Sequence, residues 1–150
     1  MNIFYWSPFI SNVATISSVI RSADSLVRYS NKNINVSLID SIGEWENKKK
    51  KINPKIDIIK LNDNNFYNLL PRGGFLKSRL SYLIIFFLNF NKLKNLINKE
   101  RPDYLIIHLM TSLPIFLTLF FKGNTKIILR LSGLPKLNIV RHFFWKMFSN

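Results

Sequence analysis

The chain has 150 residues, of which 22 are Lys or Arg and 8 are Asp or Glu, giving a formal net charge of +14. It is nevertheless 47% hydrophobic and contains 13 Phe, a composition that excludes a disordered chain. The absence of Cys excludes a disulfide scaffold, a cysteine metal site and a cysteine nucleophile. Two His and eight scattered acids also argue against a metal site built by the protein. The positive charge indicates an anionic partner, which is a phosphorylated ligand, a membrane surface or nucleic acid.

The positive charge is concentrated in the second half of the chain. Residues 1–75 have ten basic and six acidic side chains, whereas residues 76–150 have twelve basic and two acidic ones. No acid follows Asp103. This distribution suits a phosphorylated or membrane-linked substrate better than a general nucleic-acid surface.

The apolar stretches do not predict a membrane-spanning helix. Leu80–Phe90 is about half the length of roughly 20 residues that a spanning helix needs. Residues 104–121 are interrupted by His108, Thr111 and Pro114, a pattern typical of a strand, a turn and a short helix. The N-terminus lacks the basic region and cleavage site of a signal peptide. A cytoplasmic protein is therefore expected, with peripheral contact at the inner face of the plasma membrane as an open alternative.

Apolar periodicity predicts that strands alternate with helices along the chain. The first half is expected to contain a strand at Asn2–Trp6, a helix from Val13, a strand at Val36–Asp40, an exposed lysine-rich loop at 43–55, a strand at Ile56–Leu61 and a loop at 62–75. The second half is expected to contain a helix at Lys77–Lys99, a strand after Pro102, a helix at Leu113–Phe121, a strand at Lys126–Leu131 and a last helix from Leu137. Strands with consecutive apolar residues are buried on both faces, as parallel strands are. The predicted fold class is α/β: a Rossmann-like open, mainly parallel sheet with helices on both faces.

The predicted helix at Lys77–Lys99 is apolar almost all round at its centre, between Leu83 and Leu88. Burial against the sheet and a neighbouring element is favoured, because the polar face is too narrow for a helix that lies on a membrane. The alternative is contact with a bilayer, in which Lys92, Lys94 and Lys99 lie near the anionic surface.

Ligands of an open parallel sheet bind beyond the carboxyl ends of its strands. His108 ends the fourth strand and is either a hydrogen-bonding or acid–base residue, or a core histidine bonded to a backbone carbonyl. Arg130 interrupts the apolar fifth strand and either binds a phosphate or carboxylate, or forms a structural salt bridge. Ser132 and Gly133 follow it and suit either a close backbone approach to a ligand or a simple turn. Residues 43–45 follow the second strand and reach the same rim.

The loop after the first strand supplies two further candidates. Ser11 and Asn12 precede a predicted helix, so either residue can cap it through a side-chain oxygen. The free N–H groups at such a helix start also attract anions, which is the functional alternative. Neither the P-loop pattern nor the glycine fingerprint of dinucleotide-binding folds is present, which argues against a nicotinamide enzyme.

The segment at 102–135 resembles the middle of the N-terminal domain of family 4 glycosyltransferases, enzymes with two facing Rossmann-like domains (the GT-B fold). A Pro-Asp pair (Pro102, Asp103) starts a strand that ends in His108, and a Gly-Leu-Pro turn at 133–135 follows the next strand. The opening residues 2–20 take the place of the family's first strand, loop and helix, so that the resemblance spans essentially the whole chain.

Two positions depart from the family's pattern. The family's paired glycines after the first strand are replaced by Ser11 and Asn12. Its His before the Gly that follows the fifth strand is replaced by Ser132, so a role that needs an imidazole there does not transfer.

The resemblance implies that residues 1–150 are a single Rossmann-like N-terminal, acceptor-side domain, with a C-terminal donor-binding domain beyond Asn150. The implied enzyme is a retaining glycosyltransferase that moves a sugar from a nucleotide-sugar donor to a glycan or lipid-linked acceptor in cell-surface polysaccharide synthesis. The 150 residues alone are then expected to be inactive, and no metal or cofactor besides the donor substrate is implied. The residues expected to line the acceptor side of the cleft are Ser11, Asn12, His108, Arg130, Ser132 and Gly133, and no catalytic residue is assigned.

A different class of function stays open beside the enzyme. The chain can be a non-catalytic basic α/β module that binds nucleic acid or an anionic membrane surface. No recognition helix or RNA-binding aromatic pattern appears in the sequence, so nucleic acid is the less favoured partner. Salt-sensitive binding by the isolated chain would distinguish this module from an enzyme domain.

Overall fold

The structure, a computed structural model, describes residues 1–30, 33–108 and 123–130, together with residues 142 and 146. The described residues form one open sheet of five parallel strands, in the order β3-β2-β1-β4-β5. The strands are β1 (Asn2–Trp6), β2 (Asn35–Asp40), β3 (Asp57–Lys60), β4 (Tyr104–His108) and β5 (Lys126–Arg130). Two helices cover them, α1 (Ala14–Tyr29) and α2 (Phe75–Glu100). The predicted α/β fold class and these strands are confirmed, with boundaries that shift by one or two residues.

The order of the strands reverses at β1. From β1 the chain moves outward to β2 and β3, and it then returns through α2 to β4 on the other side of β1. Such a switch point opens a crevice at the carboxyl ends of the two diverging strands, here β1 and β4.

The helix α1 packs on one face of the sheet. Its buried side chains Ile16, Val19 and Ala23 meet Tyr5 of β1 and Leu38 of β2. Steps of three and four residues place these apolar positions on one side of the helix, as the sequence predicted.

The helix α2 packs on the opposite face. Its side chains Phe86, Leu93 and Ile97 join Phe4 of β1 and Leu105 of β4 in a second core. The two cores lie on either side of β1 and β4, because successive side chains of a strand point to opposite faces. The prediction of helices on both faces is therefore confirmed.

Glycine positions the start of α2. Gly73 and Gly74 have φ of 84° and 78°, a backbone conformation that side chains with a Cβ rarely adopt. Gly74 is the N-cap residue of α2, and Arg101 ends the helix with its N–H bonded to the carbonyl of Ile97.

The prediction of a wholly exposed loop at 43–55 is wrong in its first part. Gly43, Glu44 and Trp45 are buried, and Trp45 is only 1% exposed. The Trp45 ring packs edge-on against the Phe9 ring, with 5.0 Å between the ring centroids, and the Trp45 indole N–H donates to the carbonyl of Ile39. The segment reaches the surface after Trp45, with Asn47 and Lys49–Lys51 exposed on a 3-10 helix at Glu46–Lys51. A large aromatic side chain anchors this polar segment to the core, because its burial outweighs the polarity of its neighbours.

The prediction that α2 is buried all round its centre is also wrong. Ile85 and Phe86 are buried, whereas Leu83, Ile84 and Phe87 are exposed. A helix packed on one sheet buries one stripe, and here the opposite stripe is exposed. Within the ranges that the structure describes, no helix is both long enough and apolar enough to cross a membrane. The predicted helices at 113–121 and from residue 137 lie outside the described residues, residues 142 and 146 apart.

Candidate functional site

The carboxyl ends of β1, β2, β4 and β5 lie along one edge of the sheet, because all the strands are parallel. Trp6, Asp40, His108 and Arg130 occupy these ends. The predicted rim is therefore formed, and its chemistry divides between the β4–β5 end and the β2 end.

His108 and Arg130 are brought together at the first of these places. They are register partners on neighbouring strands, although 22 positions separate them in the sequence. Alternation along β4 and β1 puts His108 on the side of the sheet that α1 covers, which is also the side of Tyr5. The ring centroids of Tyr5 and His108 are 6.5 Å apart.

Hydroxyl groups of α1 hold these strand residues. The Arg130 guanidinium donates to Ser18 Oγ at 3.0 Å. The Tyr5 hydroxyl is 2.8 Å from Ser22 Oγ, with either oxygen able to donate. Because Ser18 and Ser22 are four residues apart, they lie on the same side of α1 and both face β1 and β5.

An open groove runs between α1 and the strands at this point. Its volume is about 980 Å³, which is large enough for a sugar phosphate or a short glycan. The residues that line it are Tyr5, Ala14, Ser17, Ser18, Arg21, Ser22, Ser25, Leu26, Tyr29, Ser30, Ile106 and Arg130. Hydroxyl groups and two guanidinium groups thus share one surface, and both kinds of group bind sugars and phosphates.

His108 stays neutral in this environment. It is 6% exposed, and burial, followed by the nearby positive charge of Arg130, lowers its pKa from 6.5 to about 4. Its Nε2 has no hydrogen-bond partner among the residues that the structure describes. A neutral imidazole can donate one hydrogen bond and accept another, but the Nε2 atom is buried and His108 is not among the residues that line the groove. It is a poor proton acceptor near pH 7 compared with an ordinary histidine, so hydrogen bonding fits better than acid–base chemistry.

Tyr5 also stays protonated. Burial raises the pKa of its phenol, an effect that the hydrogen bond with Ser22 and the charge of Arg130 partly oppose. The side chain is therefore a neutral hydroxyl that can donate or accept a hydrogen bond at the base of the groove.

The β2 end carries a buried pair of acids. Asp40 Oδ1 accepts hydrogen bonds from the backbone N–H groups of Gly43 (2.6 Å) and Glu44 (3.1 Å). The Glu44 carboxyl in turn accepts from the N–H groups of Ser41 and Ile42. Both carboxyls are at most 2% exposed. They close the turn after β2 rather than facing a ligand, so the prediction that residues 43–45 line the rim as polar groups is wrong.

Glu44 holds its proton to higher pH than a free glutamate does. Burial raises its pKa well above 4.5, and the hydrogen bond with Asp40 and the negative charge of Asp40 raise it further. Asp40 Oδ2 has no hydrogen-bond partner in the described part of the chain. A proton held by Glu44 removes the repulsion that two buried carboxylates would otherwise have.

The predicted capping role of Ser11 and Asn12 is wrong. The N-cap residue of α1 is Val13, which makes no side-chain capping bond, and the helix begins at Ala14. Asn12 Oδ1 instead accepts a hydrogen bond from Lys48 Nζ at 2.6 Å. Both residues are exposed and neither lines the groove.

Two predicted site residues cannot be placed, and three groove residues were not predicted. Ser132 and Gly133 lie outside the described residues. Sequence reasoning missed Tyr5, Ser18 and Ser22, which complete the groove. The serines were detectable, because spacings of three and four put several of them beside the apolar stripe of α1. In the portions of the chain that the structure covers, no three His, Asp or Glu side chains come together as ligands for a metal ion.

Comparison with models of protein families and with curated proteins gave no match for this sequence.

Proposed function

We propose that the chain is the N-terminal, acceptor-side domain of a retaining glycosyltransferase, which moves a sugar from a nucleotide-sugar donor to a glycan or lipid-linked acceptor in cell-surface polysaccharide synthesis. One observation carries the proposal: Arg130 and the hydroxyl groups of α1 share one open groove on a parallel sheet, and Arg130 is the register partner of His108 at the carboxyl edge of that sheet. The resemblance at 102–135 supplies the reaction, and this groove supplies a surface that fits its acceptor.

The groove has the chemistry that a phosphorylated or lipid-linked sugar needs. Ser17, Ser18 and Ser25 offer hydroxyl groups that donate to and accept from sugar hydroxyls. Arg21 and Arg130 provide the fork of donors that binds a phosphate through two oxygens. In this proposal His108 lies beside Tyr5 and Arg130 behind the groove surface, where it is neither a groove-lining residue nor the base that removes the proton.

The donor belongs to a second domain in this proposal. The resemblance puts the nucleotide-sugar contacts C-terminal to the segment described here, so the 150 residues bind the acceptor and do not turn over alone. Neither a metal nor a cofactor other than the donor substrate is proposed. The enzyme would work in the cytoplasm, peripherally at the inner face of the plasma membrane, where a lipid-linked acceptor meets a water-soluble donor.

The first test is to extend the reading frame downstream of Asn150. A second α/β domain with a paired-glutamate motif is expected. A stop codon directly after Asn150 would remove the two-domain enzyme.

The second test measures acceptor-side binding with glucose 1-phosphate as the probe. NMR titration of the isotope-labelled chain should shift amide signals along α1 and β5. Arg130→Ala should weaken binding about tenfold or more, because it removes a charge-assisted hydrogen bond. The control is Lys126→Ala, which removes the same charge from the same face of β5 but leaves the groove intact.

The control separates a site from general attraction. Equal weakening by both variants would indicate non-specific attraction to a basic protein, and no binding by the native chain would overturn the acceptor-side assignment. Salt-sensitive binding of DNA or RNA, with no response to the sugar phosphate, would favour the non-catalytic basic module instead.

A further inference from the structure

The first half of α2 exposes a continuous apolar surface. Six of its large side chains form this apolar patch, and they are Leu76, Leu80, Leu83, Ile84, Phe87 and Leu88. Leu76 and Phe87 are 79% and 70% exposed, although side chains of this size are usually buried. The patch extends along about 18 Å of helix, because each residue adds 1.5 Å.

The patch lies opposite the stripe that packs on the sheet. Successive residues of an α-helix are turned by about 100°, which centres the patch about 180° away from buried Ile85 and Asn89. The second half of α2 differs, since Asn91 and Asn95 occupy the same outward side there. The outward apolar surface is therefore confined to the first half of the helix and is not required by the packing of the sheet.

Positive charge accompanies the patch. Arg79 and Lys77 are exposed and lie along its two borders. Arg72 is exposed in the loop before the helix, where its guanidinium stacks on the Tyr67 ring at 4.2 Å. The sequence contains no acid between Asp63 and Glu100, so nothing in this segment neutralises these charges.

Leucine and phenylalanine bordered by lysine and arginine are the side chains of helices that lie in the plane of an anionic membrane. The apolar residues enter the boundary between headgroups and acyl chains, and the basic residues meet the lipid phosphates. A second copy of the chain is a poorer partner, because it would bring together two molecules that each carry a net charge of +14. Charge therefore selects an anionic bilayer over self-association.

We propose that the apolar patch of α2, with Lys77 and Arg79 beside it, docks on the surface of an anionic lipid bilayer with the helix parallel to the membrane plane. The sequence already allowed this helix to contact a bilayer, with Lys92, Lys94 and Lys99 near the anionic surface; the exposed patch instead lies beside Lys77 and Arg79. It is also independent of sugar transfer, because vesicle binding is measured without any catalytic activity.

Co-sedimentation with phosphatidylcholine vesicles, with and without phosphatidylglycerol, tests the proposal. The native chain should bind the anionic vesicles. The double variant Leu80→Ser/Phe87→Ser should bind them about tenfold or more weakly at any salt concentration, because it removes two apolar insertions. The matched control is Ile128→Ser, which removes an exposed apolar side chain from β5 and should bind as the native chain does.

The charge contribution is tested separately with Lys77→Gln/Arg79→Gln. Each removed charge should weaken binding about fivefold at low ionic strength, with the loss disappearing at high salt. The proposal would be overturned if the native chain sedimented with neither kind of vesicle. It would also be overturned if Leu80→Ser/Phe87→Ser bound anionic vesicles as well as the native chain does. Concentration-dependent dimerisation that the apolar double variant abolishes, without vesicle binding by the native chain, would assign the patch to a second copy.

A single-cysteine probe gives a second readout that does not depend on sedimentation. The chain contains no Cys, so one introduced thiol is labelled uniquely with a polarity-sensitive fluorophore. The label at Leu83→Cys should shift to the blue on anionic vesicles, whereas the label at Asn95→Cys, on the polar outer surface of the same helix, should not. The same response at both positions would show that the helix does not dock through its first half.

Discussion

The two helices α1 and α2 each bury an apolar stripe against one face of the sheet, but their remaining surfaces differ. α1 buries Val19 and Ala23 against one face of the sheet, and α2 buries Leu93 and Ile97 against the other. Beside its buried stripe, α1 presents serine and arginine to the groove that it forms with the strands, whereas the first half of α2 presents leucine, isoleucine and phenylalanine on the side away from the sheet. Because the buried stripes are alike, the stability of the fold does not explain the difference between the outer surfaces.

The difference indicates that the two faces of the sheet serve different partners. The α1 side offers hydrogen-bonding groups to a polar ligand in the groove. The α2 side offers apolar surface and positive charge to a lipid bilayer. A protein that modifies a lipid-linked sugar needs both surfaces, and the two proposals above are connected in that way while each can fail alone.

The largest expected effect is on the free energy of unfolding, and it distinguishes the buried stripe of α2 from the exposed one. Leu93→Ala should lower the free energy of unfolding by about 2–5 kcal/mol, because Leu93 is fully buried in the second core. Phe87→Ala should change it by about 0.5 kcal/mol or less, because that ring is 70% exposed. Urea unfolding followed by circular dichroism measures both. A comparable loss from Phe87→Ala would show that the outer stripe is part of the core and would remove the contrast between the helices.

The sequence predicts the strands of the sheet better than it predicts which side chains meet at the candidate site. Buried parallel strands are apolar at consecutive positions, so β1 and β4 were predictable within one or two residues. The pairing of His108 with Arg130 was not, because it depends on the register between two strands that are far apart in the chain. Tyr5 was missed for a related reason, since a single hydroxyl inside an apolar strand looks like core.

The wrong predictions have local physical causes. The start of α1 depends on where the backbone turns, and a shift to Val13 deprives Ser11 and Asn12 of any capping role. Trp45 lies in a segment that is polar on average, so its own burial was not predicted from the composition of the segment. The exposed stripe around Phe87 could not be predicted, because an apolar pattern gives no information on whether a neighbouring element covers it.

A smaller effect is expected from the buried acids at the end of β2. Glu44 has a raised pKa in the folded state, so the unfolded chain releases its proton first as the pH rises. Stability from this group is complete below pH 4.5 and is lost as the pH rises above that value. Glu44→Gln keeps one oxygen that accepts from the N–H groups of Ser41 and Ile42 and has no proton to lose, so its stability relative to the native chain should increase with pH.

Urea unfolding between pH 4 and pH 8 measures this difference. The control is Glu46→Gln, because Lys60 and Asn65 lower the pKa of Glu46 by hydrogen bonding. Stability from Glu46 is therefore lost as the pH falls, which is the opposite sign. Parallel pH profiles for Glu44→Gln and the native chain would contradict the raised pKa of Glu44.

Protonation of His108 at acid pH tests the burial of this residue on the α1 side of the sheet. Its pKa of about 4 in the folded state lies below the ordinary 6.5, so the unfolded chain takes up a proton first as the pH falls. Stability from this group is present above pH 6.5 and is lost as the pH falls toward 4. The imidazole signals of His108 in an NMR titration should therefore have a midpoint near pH 4. His108→Gln should reduce the loss of stability in that range, and a midpoint between 6 and 7 would mean that the imidazole is solvated.

The smallest expected effect on stability concerns the serines that distinguish α1 from α2. Ser22→Ala removes the partner of the buried Tyr5 hydroxyl, at a cost of about 0.5–1.5 kcal/mol, and the higher helix propensity of alanine offsets about 0.5 kcal/mol of that. The exposed control, Ser17→Ala, makes no such contact with Tyr5 and should gain slightly in stability. Both variants nevertheless remove a hydroxyl from the groove, so both should weaken binding of glucose 1-phosphate in the NMR titration. If Ser17→Ala stabilises the fold and still weakens that binding, the serine surface of α1 is retained for a ligand at the expense of stability. If its binding is unchanged, the polar surface of α1 is only a solvated helix face, and the contrast with α2 loses its functional meaning.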